Sequence, residues 1–161
     1  MRIVELILDE NELSGIEAIS IVENPAIEEE FIALKKQEVV YLAEADKEKK
    51  ILVGALLVPN KPIYRKKDDD EYYIYFSRKT VRKASELFLM RGKQNKSTLE
   101  HEAELNGLSV VESWIKEDEK FDKSSQYGFE KMPLGTWFVK MKVNNNEVWQ
   151  KVKDKSVRGF S

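Results

Sequence analysis

Ile51-Leu52-Val53-Gly54-Ala55-Leu56-Leu57-Val58 is a continuous apolar run, and the turn signal Pro59-Asn60 ends it. A short apolar run bounded in this way predicts a strand that is buried on both of its faces. It is also too short to cross a bilayer, which needs about 20 apolar residues. The run is therefore the predicted centre of the hydrophobic core.

Two helices are predicted around this strand. Ser77 precedes four apolar residues at helical spacing, from Val81 to Phe88, and is expected to cap that helix, with Gly92 ending it. Asn146 is expected to cap a short second helix that contains Trp149. Turns or loops are predicted at 9–15, 43–50, 66–70 and 117–133, and further strands at 2–8, 38–42, 72–76, 108–116, 136–143 and 157–160.

The order of these elements predicts an α+β fold. Roughly seven strands and two helices, without an internal repeat or a βαβ rhythm, favour an antiparallel sheet or β-barrel flanked by helices. A chain of 161 residues is long enough for one sizeable core. We therefore expect a single domain over residues 1–161.

Composition excludes several classes of protein. The 27 basic and 29 acidic residues nearly cancel, so no overall field attracts nucleic acid or an anionic membrane. The absence of cysteine excludes disulfides, thiolate metal sites and a Cys nucleophile, and favours chemistry without a cofactor. Glu5 and Asp9 interrupt the apolar N-terminus, so a soluble, non-secreted protein is expected.

A possible catalytic pair is formed by His101, the only histidine of the chain, and Ser161 in the sequence Gly159-Phe160-Ser161. A serine hydroxyl is a weak nucleophile and needs an adjacent base, which is most often an imidazole. The two residues are distant in sequence, so the fold must bring them together.

Several segments, in order, resemble the prohead serine proteases of tailed phages, especially the XkdF-like branch and the T-even type. The apolar strand is followed by an Asn-Lys-x-x-Tyr pattern, then a helix, a His among Glu residues, a Glu-Ser-x-Trp-like strand, a Trp-containing helix and a Gly-x-Ser motif. In the same order, the matching residues are 54–58, 60–64, 81–90, 99–102, 110–115, 149–153 and 159–161. Residues 19–27 also resemble the opening of the XkdF-like branch.

This resemblance implies a serine endopeptidase with the fold of herpesvirus assemblin, a β-barrel flanked by helices. Such an enzyme acts inside the immature capsid in the host cytoplasm, where it cleaves scaffold or core protein, major capsid protein and often itself. Ser161 would attack the scissile carbonyl, and His101 would take the serine proton and return it to the leaving amine. Self-association into a homo-oligomer is left open.

The third catalytic residue is predicted from the neighbours of these two. Glu100 and Glu102 flank His101, but in an extended segment they would point to the opposite face. Glu112, between Val110 and Trp114 on one predicted strand face, is the better candidate. The alternative for Glu112 is a carboxylate on a solvated surface.

The resemblance also predicts a chain that is cut short, because family members continue beyond the serine. The third catalytic group could then lie after Ser161, and a nucleophile beside an α-carboxylate would be inactive because that charge opposes an oxyanion. Lys155 also stands where many relatives have glycine.

Three other functions compete with this interpretation. The first is a non-catalytic capsid-binding or scaffold-binding domain with the same fold. The second is a nucleic-acid module, because three tyrosines within 72–75 lie between the basic groups at 65–67 and 78–79, although Asp68-Asp69-Asp70 cancels much of that charge. The third, a metal hydrolase, is disfavoured by one His and no Cys.

Overall fold

The structure is a computed structural model and describes residues 2–8, 19–22, 32–34 and 49–161. Within these ranges strands dominate, with two α-helices and one 3₁₀ turn, so the predicted α+β class is confirmed. The strands are β1 (Arg2–Glu5), β2 (Ile19–Val22), β3 (Ile32–Leu34), β4 (Ile51–Leu57), β5 (Ile63–Lys67), β6 (Asp70–Tyr75), β7 (Ser97–Leu99), β8 (Ala103–Leu105), β9 (Leu108–Ile115), β10 (Trp137–Val143) and β11 (Gly159–Phe160); the helices are α1 (Arg78–Met90) and α2 (Asn146–Lys153), and the 3₁₀ turn is Lys123–Tyr127.

The strand that contains the apolar run, β4, lies inside a four-stranded antiparallel sheet of order β3-β4-β10-β9. Residues 52–57 of β4 are all buried, as the sequence predicts. On one side Leu52 packs with Phe88 of α1 and Trp149 of α2. On the other side Val53 packs with Ile74 of β6 and Phe138 of β10. Burial on both faces therefore makes β4 the centre of the core.

Two further sheets flank the central one. The first has the order β1-β6-β5 and the second β11-β2-β7-β8, and each contains one parallel pair among antiparallel ones. Among the described residues these sheets stay open and are not closed into a ring. The mainly antiparallel pairing is confirmed, while the barrel and the assemblin-like fold stay predictions.

The caps of the helices agree with the sequence in one case and differ in the other. Ser77 caps α1 by accepting a hydrogen bond from the Thr80 N–H at 3.3 Å, and Gly92 follows α1 with a φ of +67°. The prediction that Asn146 caps α2 is wrong. Asn145 has the extended backbone of a cap, and its Oδ1 accepts the Val148 N–H at 3.1 Å.

The faces of β9 also differ from the prediction. Lys140 pairs with Glu112, but the next residue, Met141, pairs with Val110, so Val111 is an extra residue in a β-bulge. A bulge interrupts the alternation of side chains. Val110 and Met141 therefore face the main core, which is the apolar cluster that contains Leu52, Phe88 and Trp149. Glu112 and Trp114 face the opposite side of the sheet.

Other differences arise from short elements. Residues 66–70 were expected to form a loop, but β5 runs to Lys67 and β6 begins at Asp70, with a tight turn between them. The described residues contain eleven strands rather than about seven, and the hairpin of β7 and β8 is among those that were not predicted. The predicted turn at 9–15, the predicted strand at 38–42 and residues 43–48 of the predicted loop lie outside the described residues.

Candidate active site

His101 lies in the tight turn that joins β7 to β8. The Glu102 N–H donates to the Leu99 carbonyl at 3.0 Å, and the two central residues, Glu100 and His101, have φ values of 51° and 61°. Positive φ at both central positions is the signature of a type I′ turn. The imidazole is therefore carried at the exposed tip of a hairpin.

This turn holds residues that its backbone does not favour. Type I′ turns strongly prefer Asn-Gly, because other residues in the left-handed region cost about 1 kcal/mol or more each. Glu100 and His101 occupy both strained positions. Histidine is one of the non-glycine residue types that are enriched at positive φ. Lys50, Asn60, Asp68 and Lys155 also have positive φ, so this backbone conformation alone does not mark a functional site.

Because of this turn, the two carboxylates that flank His101 are not held on the opposite face of a strand. Glu100 and Glu102 were set aside on the premise that the segment around His101 is extended, and that premise is wrong because residues 100–102 turn the chain. Both glutamates are exposed beside His101. They therefore return to the set of candidates for orienting its ring.

Ser161 directly follows β11, in which Phe160 is fully buried in the main core. Side chains alternate along a strand, so Ser161 lies on the face opposite Phe160. Ser161 is half-buried, and the preceding Gly159 is buried. The buried phenyl ring thus anchors the strand end that carries the hydroxyl.

His101 and Ser161 belong to the same sheet, with β2 between their strands. Phe160 pairs with Ile21, which pairs in turn with Leu99, so Phe160 and Leu99 are level. Neighbouring strands lie about 4.8 Å apart, which sets the backbones of β7 and β11 about 10 Å apart. Ser161 continues from this level in one direction and His101 in the other, so a hydrogen bond between them requires the turn to move across β2.

Glu112 lies in the central sheet rather than in the sheet of the other two residues. Its carboxylate contacts Lys140 Nζ at 2.6 Å and Lys123 Nζ at 3.3 Å. The hydrogen bond from Lys140, with a smaller contribution from Lys123, lowers the pKa of Glu112 below its ordinary value. The structure therefore explains this carboxylate as the partner of two lysines and does not bring it to His101.

The two lysines are themselves held by aromatic rings. Lys123 Nζ lies 4.1 Å from the centre of the Trp114 ring, and Lys140 Nζ lies 4.9 Å from that of Tyr127. Burial lowers the pKa of Lys140, but hydrogen bonds with Glu112 and Tyr127 outweigh it, so that the pKa is raised. Glu112 thus belongs to a charged cluster that attaches the 3₁₀ turn to β9 and β10.

In the described part of the chain, no three His, Asp or Glu side chains are grouped so that they could hold a metal ion. None of the helices within the described ranges is long and apolar enough to cross a membrane.

A comparison with protein families identifies the chain. The family described as "Putative phage serine protease XkdF" matches residues 38–161, a range that contains His101, Glu112 and Ser161. The chain belongs to this family. No curated protein and no solved structure matches it.

Membership of the XkdF family confirms the resemblance to phage serine proteases. The sequence identified His101 and Ser161 from their residue types, but it missed the strained turn that holds His101. The sequence did contain a signal for that turn. The three polar residues Glu100-His101-Glu102 separate two short segments that each contain a leucine, Ser97–Leu99 and Ala103–Leu105, and these segments form the paired strands of the hairpin.

Proposed function

We propose that this protein is a serine endopeptidase of phage capsid maturation, with Ser161 as nucleophile and His101 as general base. The observation that carries the proposal is the XkdF family match, which spans both residues.

The proposed chemistry is acyl transfer. Ser161 Oγ bonds to the scissile carbonyl carbon while its proton passes to His101, and the tetrahedral intermediate collapses as His101 returns that proton to the leaving amine. Water then attacks the acyl-enzyme by the same route, which releases the acid and restores the serine. No cofactor takes part in these steps.

The separation of His101 and Ser161 across β2 makes substrate binding part of this proposal. Catalytic hydrogen bonds are often long in the free enzyme and tighten only when substrate is bound. We expect the His101 turn to close toward Ser161 over a bound peptide.

Three carboxylates are candidates for the third catalytic position. Glu112 would have to leave Lys140 and Lys123 to reach His101, whereas Glu100 and Glu102 are already beside it. We infer that an orienting carboxylate, if one acts, comes from the turn rather than from β9.

The biological setting completes the proposal. The substrates would be the scaffold or core protein and the major capsid protein, with cleavage of the protease itself, inside the prohead in the host cytoplasm. The domain would have the assemblin-like barrel, as in the T-even type, and could form a homo-oligomer. These expectations rest on the resemblance to the phage prohead proteases.

The direct test is cleavage by the purified full-length protein. Its own phage scaffold and major capsid protein are incubated with it, and fragments are identified by mass spectrometry. Ser161→Ala and His101→Ala are expected to abolish cleavage. Ser156→Ala is the matched control, because Ser156 is an exposed serine that bonds Asp154 shortly before β11, and this variant should cleave normally.

Two results would contradict the proposal. Cleavage that persists in Ser161→Ala would exclude Ser161 as nucleophile. Scaffold that binds to the wild-type protein without being cut would favour a non-catalytic scaffold-binding domain instead.

A further inference from the structure

The exposed side of α1 carries four cations in its first two turns. Arg78, Lys79 and Arg82 are exposed and Lys83 is half-buried. Residues 78–96 contain seven Lys and Arg against one Glu, although the whole chain has a net charge of -2. This part of the surface is thus strongly positive on a chain that is slightly negative.

These charges oppose the electrostatics of the helix itself. The N-terminus of a helix is the positive end of its dipole and favours acidic residues, but the first turn of α1 has none. Arg78 and Arg82, like Lys79 and Lys83, are like-charged pairs four residues apart, a spacing that destabilises a helix. Stability of α1 therefore does not explain its charges.

The second helix of the same chain shows the favourable arrangement. Glu147 lies in the first turn of α2, and Lys151 and Lys153 lie in its last turn. Each charge there matches the nearby end of the helix dipole. The reversed pattern is thus particular to α1.

A carboxylate already occupies part of this side of α1. The Arg82 guanidinium binds the carboxylate of Glu117, and both side chains stay substantially exposed. A guanidinium presents a fork of donors that matches a carboxylate. The contact indicates that the cations on this side of α1 are suited to binding carboxylates.

Exposed apolar side chains lie beyond these cations, toward the C-terminal end of α1. Leu89 follows Arg82 by seven residues and Met90 follows Lys83 by seven, a spacing that returns to the same side of a helix. Leu89 is 40% and Met90 79% exposed. The exposed side of α1 is therefore basic at one end and apolar at the other.

We propose that this surface, the basic face of α1, docks an acidic amphipathic segment of a protein. Carboxylates of the segment would pair with the four cations, and its apolar side chains would cover Leu89 and Met90. Single-stranded nucleic acid fits less well, because Phe88, the only aromatic residue of α1, is buried and cannot stack on bases. The docking does not depend on peptidase activity.

Fluorescence anisotropy with a defined probe tests this docking. The probe is a labelled synthetic amphipathic helix with Glu on its polar face and Leu on its apolar face, titrated with the full-length protein. Lys79→Gln/Lys83→Gln should weaken binding about tenfold. Its thermal midpoint should be unchanged or higher, because a like-charged pair is removed from the helix N-terminus.

The matched control removes two charges from α2. Lys151→Gln/Lys153→Gln should leave the affinity for the probe within about twofold, since the same net charge is lost elsewhere. Equal weakening in both variants, no binding of the probe, or tighter binding of a single-stranded oligonucleotide than of the probe would each overturn the proposal.

Discussion

Gly107 and Asn144 approach each other so closely that no side chain fits between them. The Asn144 N–H donates to the Gly107 carbonyl at 2.7 Å. A Cβ on Gly107, where φ is +80°, would lie 2.3 Å from the Asn144 carbonyl oxygen. This contact joins the start of β9 to the segment between β10 and α2.

The first prediction concerns the stability of a protein in which Gly107 is replaced. Gly107→Ala should lower the free energy of unfolding by about 2–4 kcal/mol, because the left-handed backbone and the clash both oppose the methyl group. Gly92→Ala is the control, since Gly92 also has positive φ but nothing lies within 4 Å of its Cβ position. Urea unfolding should show a loss for Gly92→Ala of only about 1 kcal/mol; equal losses would contradict the role of the Asn144 contact.

The second prediction concerns the stability contributed by Lys116. It is only 1% exposed, and its ammonium donates to the carbonyls of Glu130 and Met132 at 3.0 and 2.7 Å. Lys116→Met would leave those carbonyls without this donor, at a cost of about 1–3 kcal/mol. The exposed Lys131→Met is the control and should change the unfolding free energy by less than about 0.5 kcal/mol. A Lys116→Met protein as stable as wild type would show that the buried ammonium does not hold the loop.

Glu112 gives a prediction that depends on pH. Because its pKa is lowered in the folded protein, mainly by Lys140, its contribution is present above the ordinary value of 4.5 and is lost as pH falls through the folded pKa. Glu112→Gln should reduce stability at pH 7 by under about 1 kcal/mol, since the carboxylate is 42% exposed. The difference from wild type should shrink below about pH 4.

The same variant tests the catalytic role first assigned to Glu112. If the lysine cluster is its whole function, peptidase activity of Glu112→Gln should stay within about threefold of wild type at pH 7. A loss of kcat by about 10³-fold or more, without a change in thermal midpoint, would instead make Glu112 the orienting carboxylate.

The positive φ of His101 gives a prediction that separates stability from activity. Asn tolerates the left-handed region at least as well as His but cannot act as a base. His101→Asn should therefore raise the thermal midpoint or leave it unchanged while abolishing cleavage. The control Leu105→Ala, in the strand after the turn, should lower the midpoint, because Leu105 packs against the main core. A destabilised His101→Asn protein would mean that the residue serves the fold.

Local patterns in the sequence predicted the elements whose causes are local. The run from Ile51 to Val58 is apolar throughout and becomes a strand buried on both faces. Ser77 and Gly92 mark the ends of α1 because caps depend on a few neighbouring backbone groups.

Features that depend on pairing could not be predicted in the same way. The bulge at Val111 exists only in the register of β9 against β10, and it moves Glu112 to the face opposite Val110. The sheet that holds both His101 and Ser161 depends on β2, from a distant part of the sequence, pairing with β7 and β11. The residue types identified the candidate pair, but only the fold shows how far apart its members lie.

Covalent labelling of the nucleophile tests the central claim most directly. The full-length protein is treated with a fluorophosphonate, which forms a stable adduct with an activated serine, and the modified residue is located by peptide mass spectrometry. We predict a single adduct on Ser161 that is absent in Ser161→Ala and at least about 100-fold slower in His101→Ala. Labelling of another serine, or labelling of Ser161 at an unchanged rate without His101, would contradict the account.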